Sequence, residues 1–240
     1  MTALRYVYAV CRPFDAALQA QLTGVAGDPP RMLSHRGLVA VVSHVPERDF
    51  AEDPLRRRLE DPDWLTGTAR AHQGVIDALT AVTTPLPLRL GTVFLDDSGV
   101  RVMMEAREEA FRRTLDRLAG RVEWGVRVYA GNEPPKPSEP APQAAAHADR
   151  RERAEERAGR LHATLSAYAE DAKLHAPQDS PLPGATGRNV LNAAYLVPRG
   201  RCEEFVEAVG RTQDDLTGMR VELTGPWAAY SFVEEASNPY

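Results

Sequence analysis

The first half of the chain alternates between short apolar segments of β type and stretches with helical periodicity. Arg5–Cys11 (RYVYAVC) and Leu38–Ser43 (LVAVVS) are largely apolar on both faces, so each is predicted to be a central strand covered on two sides. From Val122 to Tyr129, apolar and polar residues alternate, which predicts a half-buried strand. Two further stretches have apolar residues three and four positions apart and are predicted to be helices: His72, Val75, Ile76, Leu79 and Val82, then Ala106, Ala110, Phe111, Leu115 and Leu118.

The second half begins with a charged helix predicted over Asp149–His175. Its apolar stripe contains few large residues, so it favours an amphipathic helix packed on its own domain over a coiled coil. The residues of this stripe are Ala154, Ala158, Leu161, Leu165, Tyr168 and Ala172. Strands are predicted at Val190–Val197, Met219–Leu223 and Ala229–Val233, and a helix with an apolar stripe starting at Cys202 is predicted after the first of them.

A proline-rich segment separates the two halves. Five prolines fall between Pro134 and Pro142, and such a segment is typical of a stiff, extended linker. We therefore expect an N-terminal α+β domain over 1–132, a linker over 133–148, and a C-terminal α+β domain over 149–240 with the long helix and a largely antiparallel sheet. The element order in each half is compatible with a variation on the ferredoxin-like split βαβ unit.

Composition and charge exclude several classes of protein. The 240 residues include 29 Lys+Arg and 34 Asp+Glu, giving a net charge of −5, whereas dedicated nucleic-acid binders carry a basic excess. Two cysteines are too few for a disulfide framework or a cysteine-only zinc site. No apolar run reaches the roughly 18–20 residues of a membrane helix, and no signal-peptide pattern follows Met1. The sequence predicts a cytoplasmic protein that binds neither nucleic acid nor membrane.

The motifs of common enzymes are missing from the sequence. It contains no phosphate-binding glycine loop, no H-E-x-x-H, no C-x-x-C and no G-x-S-x-G, so no catalytic, cofactor or metal site is predicted. His72 lies on the apolar stripe of its helix and is interpreted as a hydrogen-bonded core histidine, with a ligand or acid–base role as the alternative. His162 lies off its stripe and is expected to be solvated.

Two segments are unusual enough to be candidate binding sites. In Leu86–Phe94, the prolines at 85 and 87 predict an edge strand, Gly91 predicts a bulge or a close backbone approach, and an arginine stands among leucines. In Leu223–Phe232, Gly225-Pro226 predicts a turn and three aromatic residues follow within six positions. Each segment is either ordinary core or the anchor of a protein interface. The candidate partner-binding residues are Leu88, Arg89, Leu90, Phe94, Trp227, Tyr230 and Phe232.

Taken in order, several segments make the chain resemble the gas vesicle accessory family GvpF/GvpL. These segments are Tyr6–Val10, Gly37–Ser43, Trp64-Leu65 with Ala71-His72, Pro87–Phe94, Leu191–Val197, Leu223–Trp227 and Tyr230–Phe232. The sequence departs from the family pattern at Leu90, where phenylalanine is more common, and at Ala228-Ala229, where prolines are common; both changes keep the positions apolar.

The resemblance implies a two-domain α+β protein with a modified ferredoxin-like N-terminal domain. It also implies a minor component or assembly factor of gas vesicles, without catalysis or cofactor, that binds the small hydrophobic shell protein and other accessory proteins and aids nucleation. The expected location is the cytoplasm and the gas vesicle. Two alternatives stay open: a small-molecule enzyme or sensor on a ferredoxin-like scaffold, with His72 and Arg89 lining a pocket, and a scaffold that joins accessory proteins through Asp149–His175.

Overall fold

The computed structural model describes residues 3–16, 22–131, 143–177, 187–215 and 218–233, without the side chains of 143–149 and 213–215. The chain forms two compact units, one made of residues 1–120 with 227–240 and the other of residues 121–226. Each unit combines helices with one sheet, which confirms the predicted α+β class.

The sheet of the first unit has the strand order β2-β3-β1-β4, and β5 also pairs with β1. The strands are β1 (Ala3–Cys11), β2 (Arg31–His35), β3 (Leu38–Pro46), β4 (Leu86–Pro87) and β5 (Val93–Phe94). Because β3 is antiparallel to both β1 and β2, these two run parallel with β3 between them, as in a split βαβ unit. The described part of the β1–β2 connection contains a short 3-10 helix (Val25–Gly27), which makes the unit a modified ferredoxin-like fold.

Helices cover both faces of this sheet. They are α1 (Glu47–Phe50), α2 (Glu52–Leu59), α3 (Pro62–Val82), α4 (Asp97–Ala106) and α5 (Glu108–Leu118). Val75 and Ile76 of α3 pack on the face that carries Tyr6 and Tyr8, whereas α4 and α5 pack on the opposite face. The central strand β1 is therefore buried on both sides, as its apolar pattern predicts.

The sheet of the second unit has the order β7-β8-β6-β9. Its elements are β6 (Arg121–Ala130), α6 (Gln143–Ser166), β7 (Asp171–Leu174), β8 (Arg188–Pro198), α7 (Cys202–Asp215) and β9 (Met219–Trp227). Leu161 and Leu165 of α6 pack with Phe205 and Val209 of α7 on one face of the sheet. The stripe of the charged helix therefore contacts its own unit, as predicted for an amphipathic helix.

The bounds of the compact units differ from the predicted domain bounds. β6, which was expected in the N-terminal domain, pairs along its whole length with β8 of the second unit. After Trp227 the chain returns to the first unit, where Ala228 is buried beside β1 and α3. Of the predicted linker 133–148, residues 133–142 lie outside the described residues, and α6 already begins at Gln143.

Two predicted elements are wrong. The charged helix ends at Ser166 instead of His175, because residues 171–174 pair with β8 as strand β7. Tyr168 and Ala172 still pack on the same core, so the apolar spacing continues while the backbone changes. The strand predicted at Ala229–Val233 is a 3-10 helix (Tyr230–Phe232), closed by the Val233 amide bonding to the Tyr230 carbonyl.

Gly24 lies where a side chain would collide with the first unit's core. A Cβ atom there would stand 2.4 Å from Tyr8 Oη and 2.6 Å from both Ser43 Oγ and the Asp28 carbonyl oxygen. We expect Gly24→Ala to lower the free energy of unfolding by about 1–3 kcal/mol in urea unfolding. The control is Gly67→Ala on the exposed side of α3, where a Cβ meets nothing within 4 Å; it should stabilise by about 0.5–1 kcal/mol. Equal effects of the two changes would contradict this account of Gly24.

Candidate functional site

The first candidate segment is an edge strand interrupted by a tight turn. β4 and β5 each pair with β1, and between them the Thr92 amide bonds to the Arg89 carbonyl at 3.2 Å. Gly91 has a φ of 83°, a left-handed conformation that suits glycine. The base of the turn is held by the Leu88 amide bonding to the Tyr8 carbonyl and the Val7 amide bonding to the Thr92 carbonyl, at 2.8 and 2.9 Å. The predicted irregular edge is confirmed, and at Gly91 the backbone makes a turn between β4 and β5 where a bulge or a close backbone approach was predicted.

The four candidate residues of this segment differ in exposure. Leu88 is buried and packs with α4 and α5, so it contributes to the core. Phe94 is half-buried against the same core. Arg89 is exposed, and Leu90 is half-buried against the cluster around Tyr6 and α3. The turn therefore offers Arg89 and Leu90 to the surface.

The second candidate segment alternates between exposed and buried residues. The turn predicted at Gly225-Pro226 is wrong, because both residues lie within strand β9, which continues to Trp227. The chain turns only after this strand, at the 3-10 helix Tyr230–Phe232. Trp227 is 39% exposed and Tyr230 is 38% exposed, whereas Phe232 is fully buried. The Tyr230 hydroxyl donates to Gln73 Oε1 of α3 at 3.2 Å, which ties the segment to the first unit.

Both segments contact the same core cluster of the first unit. Ala228 is buried in the same cluster against which Leu90 packs. Tyr230 also lies close enough to Tyr6 to contribute to its raised pKa, although burial is the larger cause. Tyr6 in turn contacts the first segment, because its hydroxyl accepts the Gly91 amide at 3.3 Å. We call the exposed part, Arg89, Leu90, Trp227 and Tyr230, the two-turn surface.

Beneath this surface lies a buried tyrosine–histidine pair. The Tyr6 hydroxyl is 2.9 Å from His72 Nδ1, and the two rings meet edge to face with centroids 5.8 Å apart. The Tyr6 oxygen accepts the Gly91 amide, and the direction of its bond with Nδ1 is set by the tautomer of His72, because a hydroxyl donates one hydrogen bond and accepts two. Burial lowers the pKa of His72 to about 4, so the imidazole is neutral at pH 7. The interpretation of His72 as a hydrogen-bonded core residue is confirmed.

A second tyrosine on the same face of β1 plays a parallel part. The Tyr8 hydroxyl accepts the Val25 amide at 2.7 Å and donates to Ser43 Oγ at 3.0 Å. Ser43 donates onward to the Asp28 carbonyl at 3.0 Å. Each tyrosine thus holds one irregular connection against the sheet. Sequence reasoning missed both roles, although two tyrosines in a strand buried on both sides are a usable signal, because buried hydroxyls need partners.

The described residues place His72 and Arg89 in different surroundings. His72 is 4% exposed and enclosed by aromatic rings, whereas Arg89 lies at the surface. A surface pocket of about 490 Å³ lies at the α4–α5 junction and is lined by residues between Glu105 and Arg113, so it includes neither residue.

Among the described residues, no group of three or more His, Cys, Asp or Glu side chains could hold a metal ion. None of the described helices is long and apolar enough to cross a membrane.

The buried imidazole makes stability depend on pH. The unfolded chain binds a proton at His72 near pH 6.5, whereas the folded chain does so only near pH 4. The contribution of this shift to the free energy of unfolding is therefore fully present above pH 6.5. It decreases by about 3 kcal/mol in total as the pH falls towards 4. Urea unfolding across this range should show the loss in the wild type and a much smaller one in His72→Gln. Asp97, whose pKa is held at about 2 by Arg31 and Arg5, acts only at lower pH. Equal pH slopes in the two proteins would contradict the burial of a neutral histidine.

Relatives of the chain are gas vesicle proteins. It is 52% identical to "Gas vesicle protein L" of Streptomyces sp. (strain CB03234), over 95% of this chain and 92% of the relative. It is 30% identical to "Gas vesicle protein F" of the same strain, over 95% of this chain and 99% of the relative. Among these two, the similarity to the L protein is the greater.

Solved structures share the fold. The chain matches the crystal structure of GvpF from Microcystis aeruginosa with a TM-score of 0.72 and 18% identity, covering 98% of this chain and 100% of the other. It matches that of GvpF from Anabaena sp. PCC7120 with a TM-score of 0.71 and 18% identity, covering 97% and 96%. The profile of the family described as "Gas vesicle synthesis protein GvpL/GvpF" matches residues 4–234. The resemblance seen in the ordered segments is thereby confirmed, and the chain belongs to the gas vesicle synthesis protein family GvpL/GvpF.

Proposed function

We propose that this chain is an assembly protein that binds the small hydrophobic shell protein of gas vesicles through the two-turn surface and aids nucleation. The observation that carries the proposal is that Leu90 and Ala228, one from each candidate segment, pack on the same cluster of the first unit. Arg89, Trp227 and Tyr230, which neighbour them in the chain, are exposed. Membership of the family supports a gas vesicle role, and the surface supplies a place for the partner.

The chemistry of the two-turn surface suits an amphipathic partner. Tryptophan, tyrosine and arginine are the residues that most often dominate binding energy in protein interfaces. Trp227 and Tyr230 each combine a large apolar ring with one hydrogen-bonding group, so they can cover apolar surface and still satisfy polar neighbours. A shell subunit exposes apolar surface before it polymerises, and covering that surface lowers its tendency to self-associate.

Buried side chains next to the exposed residues hold both segments in place. Leu88 and Phe232, two of the residues proposed from sequence, are fully enclosed and fix the backbone on either side of the exposed positions. The Tyr230 hydroxyl is bonded to α3, which limits the motion of its ring. Tyr230 would therefore lose little side-chain entropy on binding, which favours affinity.

The outer face of α6 is a separate candidate surface, for other accessory proteins. Its exposed residues are charged and partly paired along the helix, as in Arg151 with Glu155 and Arg160 with Glu156. Such a face can select partners by charge pattern more than by apolar area. Our proposal places the protein in the cytoplasm and at the gas vesicle.

The direct test is binding of purified shell protein to a Trp227→Ala, Tyr230→Ala double variant. We expect at least about tenfold weaker binding than wild type, since exposed aromatic anchors are typical hot spots. The control is Leu174→Ala with Val206→Ala, which removes two hydrophobic side chains that are 64% and 38% exposed in the second unit. Circular dichroism and thermal unfolding verify that both variants fold. Equal binding by the two double variants, or no binding by the wild type at micromolar concentration, would contradict the proposal.

A cellular experiment extends the same test. In a vesicle-forming cell that lacks this chain, electron microscopy should show vesicles restored by the wild type and by the Leu174, Val206 control. The Trp227, Tyr230 variant should give few or none. Full restoration by that variant would show that vesicle formation does not need the two-turn surface, and would contradict the proposal.

A further inference from the structure

We infer that Tyr6 and His72 are positioning residues for the two-turn surface, because their hydrogen bond holds the Arg89–Thr92 turn in the conformation that presents Arg89 and Leu90. What the surface binds rests on the proposed function. The effect on the turn rests only on the contacts of the first unit, so the two parts can be tested separately.

The turn itself provides only part of its hydrogen bonding. Thr92 bonds twice to the Arg89 carbonyl, through its amide at 3.2 Å and through its Oγ1 at 2.8 Å. The Gly91 amide is directed inwards, to Tyr6 Oη at 3.3 Å. The tip of the turn is thus fastened to the sheet by a side chain of β1.

The Tyr6 hydroxyl is itself fixed from several sides. It shares a hydrogen bond of 2.9 Å with His72 Nδ1. The ring centroids of Tyr8 and Phe50 lie 4.9 and 6.1 Å from that of Tyr6. His72 is held in α3, where Val75 and Ile76 are fully buried beside it. Without a hydrogen-bonding group at position 72, the Tyr6 hydroxyl would turn towards another polar group, and its oxygen would lose the orientation that faces Gly91.

Tyr8 provides a matched control for this inference. It lies two residues along β1 on the same face, it is equally buried, and its hydroxyl also accepts one backbone amide. That amide belongs to Val25 in the β1–β2 connection, and the Tyr8 hydroxyl donates its own proton to Ser43 Oγ. Removing either hydroxyl takes away the same kind of group from the same core, but only one of the two hydroxyls bonds an amide of the Arg89–Thr92 turn.

The first experiment compares Tyr6→Phe with Tyr8→Phe by amide hydrogen exchange and by binding of purified shell protein. In Tyr6→Phe, exchange at Gly91 should be about tenfold faster while exchange at Val25 stays unchanged; in Tyr8→Phe the pattern should be reversed. Binding should fall in Tyr6→Phe and stay close to wild type in Tyr8→Phe. Unchanged exchange at Gly91 in Tyr6→Phe, or the same pattern in both variants, would overturn the inference.

The second experiment separates positioning from packing at position 72. His72→Gln keeps a hydrogen-bonding group for the Tyr6 hydroxyl, whereas His72→Leu fills the site without one. We expect protection of Gly91 to be retained in the glutamine variant and lost in the leucine variant, even where the leucine variant is as stable as wild type. Equal protection in the two variants would show that His72 acts only by packing, and would overturn its positioning role.

The binding results distinguish the inference from the proposed function. Selective loss of Gly91 protection in Tyr6→Phe, with no shell binding by the wild type, would support the positioning of the turn and overturn the proposed function. Selective loss of protection with equal binding by Tyr6→Phe and Tyr8→Phe would overturn the link between the turn and the partner.

Discussion

The first unit is organised around two buried tyrosine hydroxyls of its central strand β1. β1 is covered on both faces, and Tyr6 and Tyr8 are fully buried on the same side of it. A buried hydroxyl without a partner costs about 1–3 kcal/mol, so each must find a donor and an acceptor. The amides that they accept come from the connections Gly24–Asp28 and Arg89–Thr92, whereas their other partners, His72 and Ser43, lie in α3 and β3. The need for these partners explains why Gly24 has no room for a side chain and why the turn at Gly91 bends inwards.

This arrangement also determines which part of the sheet edge is available to a partner. A straight strand after Pro87 would offer a row of unpaired backbone groups, which promotes unspecific strand pairing. The turn breaks that row and presents Arg89 and Leu90 in its place, next to the aromatic residues of the C-terminal segment. Specific side chains therefore replace generic backbone pairing at the edge. An edge without such a row of free backbone groups suits a protein that is proposed to bind an aggregation-prone subunit, because it does not promote strand pairing with aggregates of that subunit.

The sequence predicted the parts of this arrangement that depend on neighbours in the chain. The buried strands and the helical stripes follow from local periodicity, and the irregular edge follows from the prolines at 85 and 87. It did not separate Leu88 from Leu90, because a residue in an irregular edge has no alternation to assign its face. The early end of the charged helix was missed because β7 forms by pairing with β8, a contact distant in sequence. The meeting of the two turns was also unpredictable, since it depends on Tyr6 and α3, to which neither segment is adjacent in the chain.

The second unit shows what a tyrosine–histidine pair does when it has no such turn to hold. Tyr195 lies in the central strand β8, and its hydroxyl is 2.8 Å from Nδ1 of His162 on α6, so His162 is half-buried where the sequence pattern predicted a solvated residue. In both units, a helix histidine that packs against the sheet provides the partner required by a buried tyrosine. The hydrogen bond from the Gly91 amide is what distinguishes the first unit, because it connects the pair to an exposed turn. The tyrosine–histidine hydrogen bond, which both units share, only provides a partner for a buried hydroxyl. The positioning role that we infer for Tyr6 and His72 therefore depends on the Gly91 amide and on the turn to which it belongs.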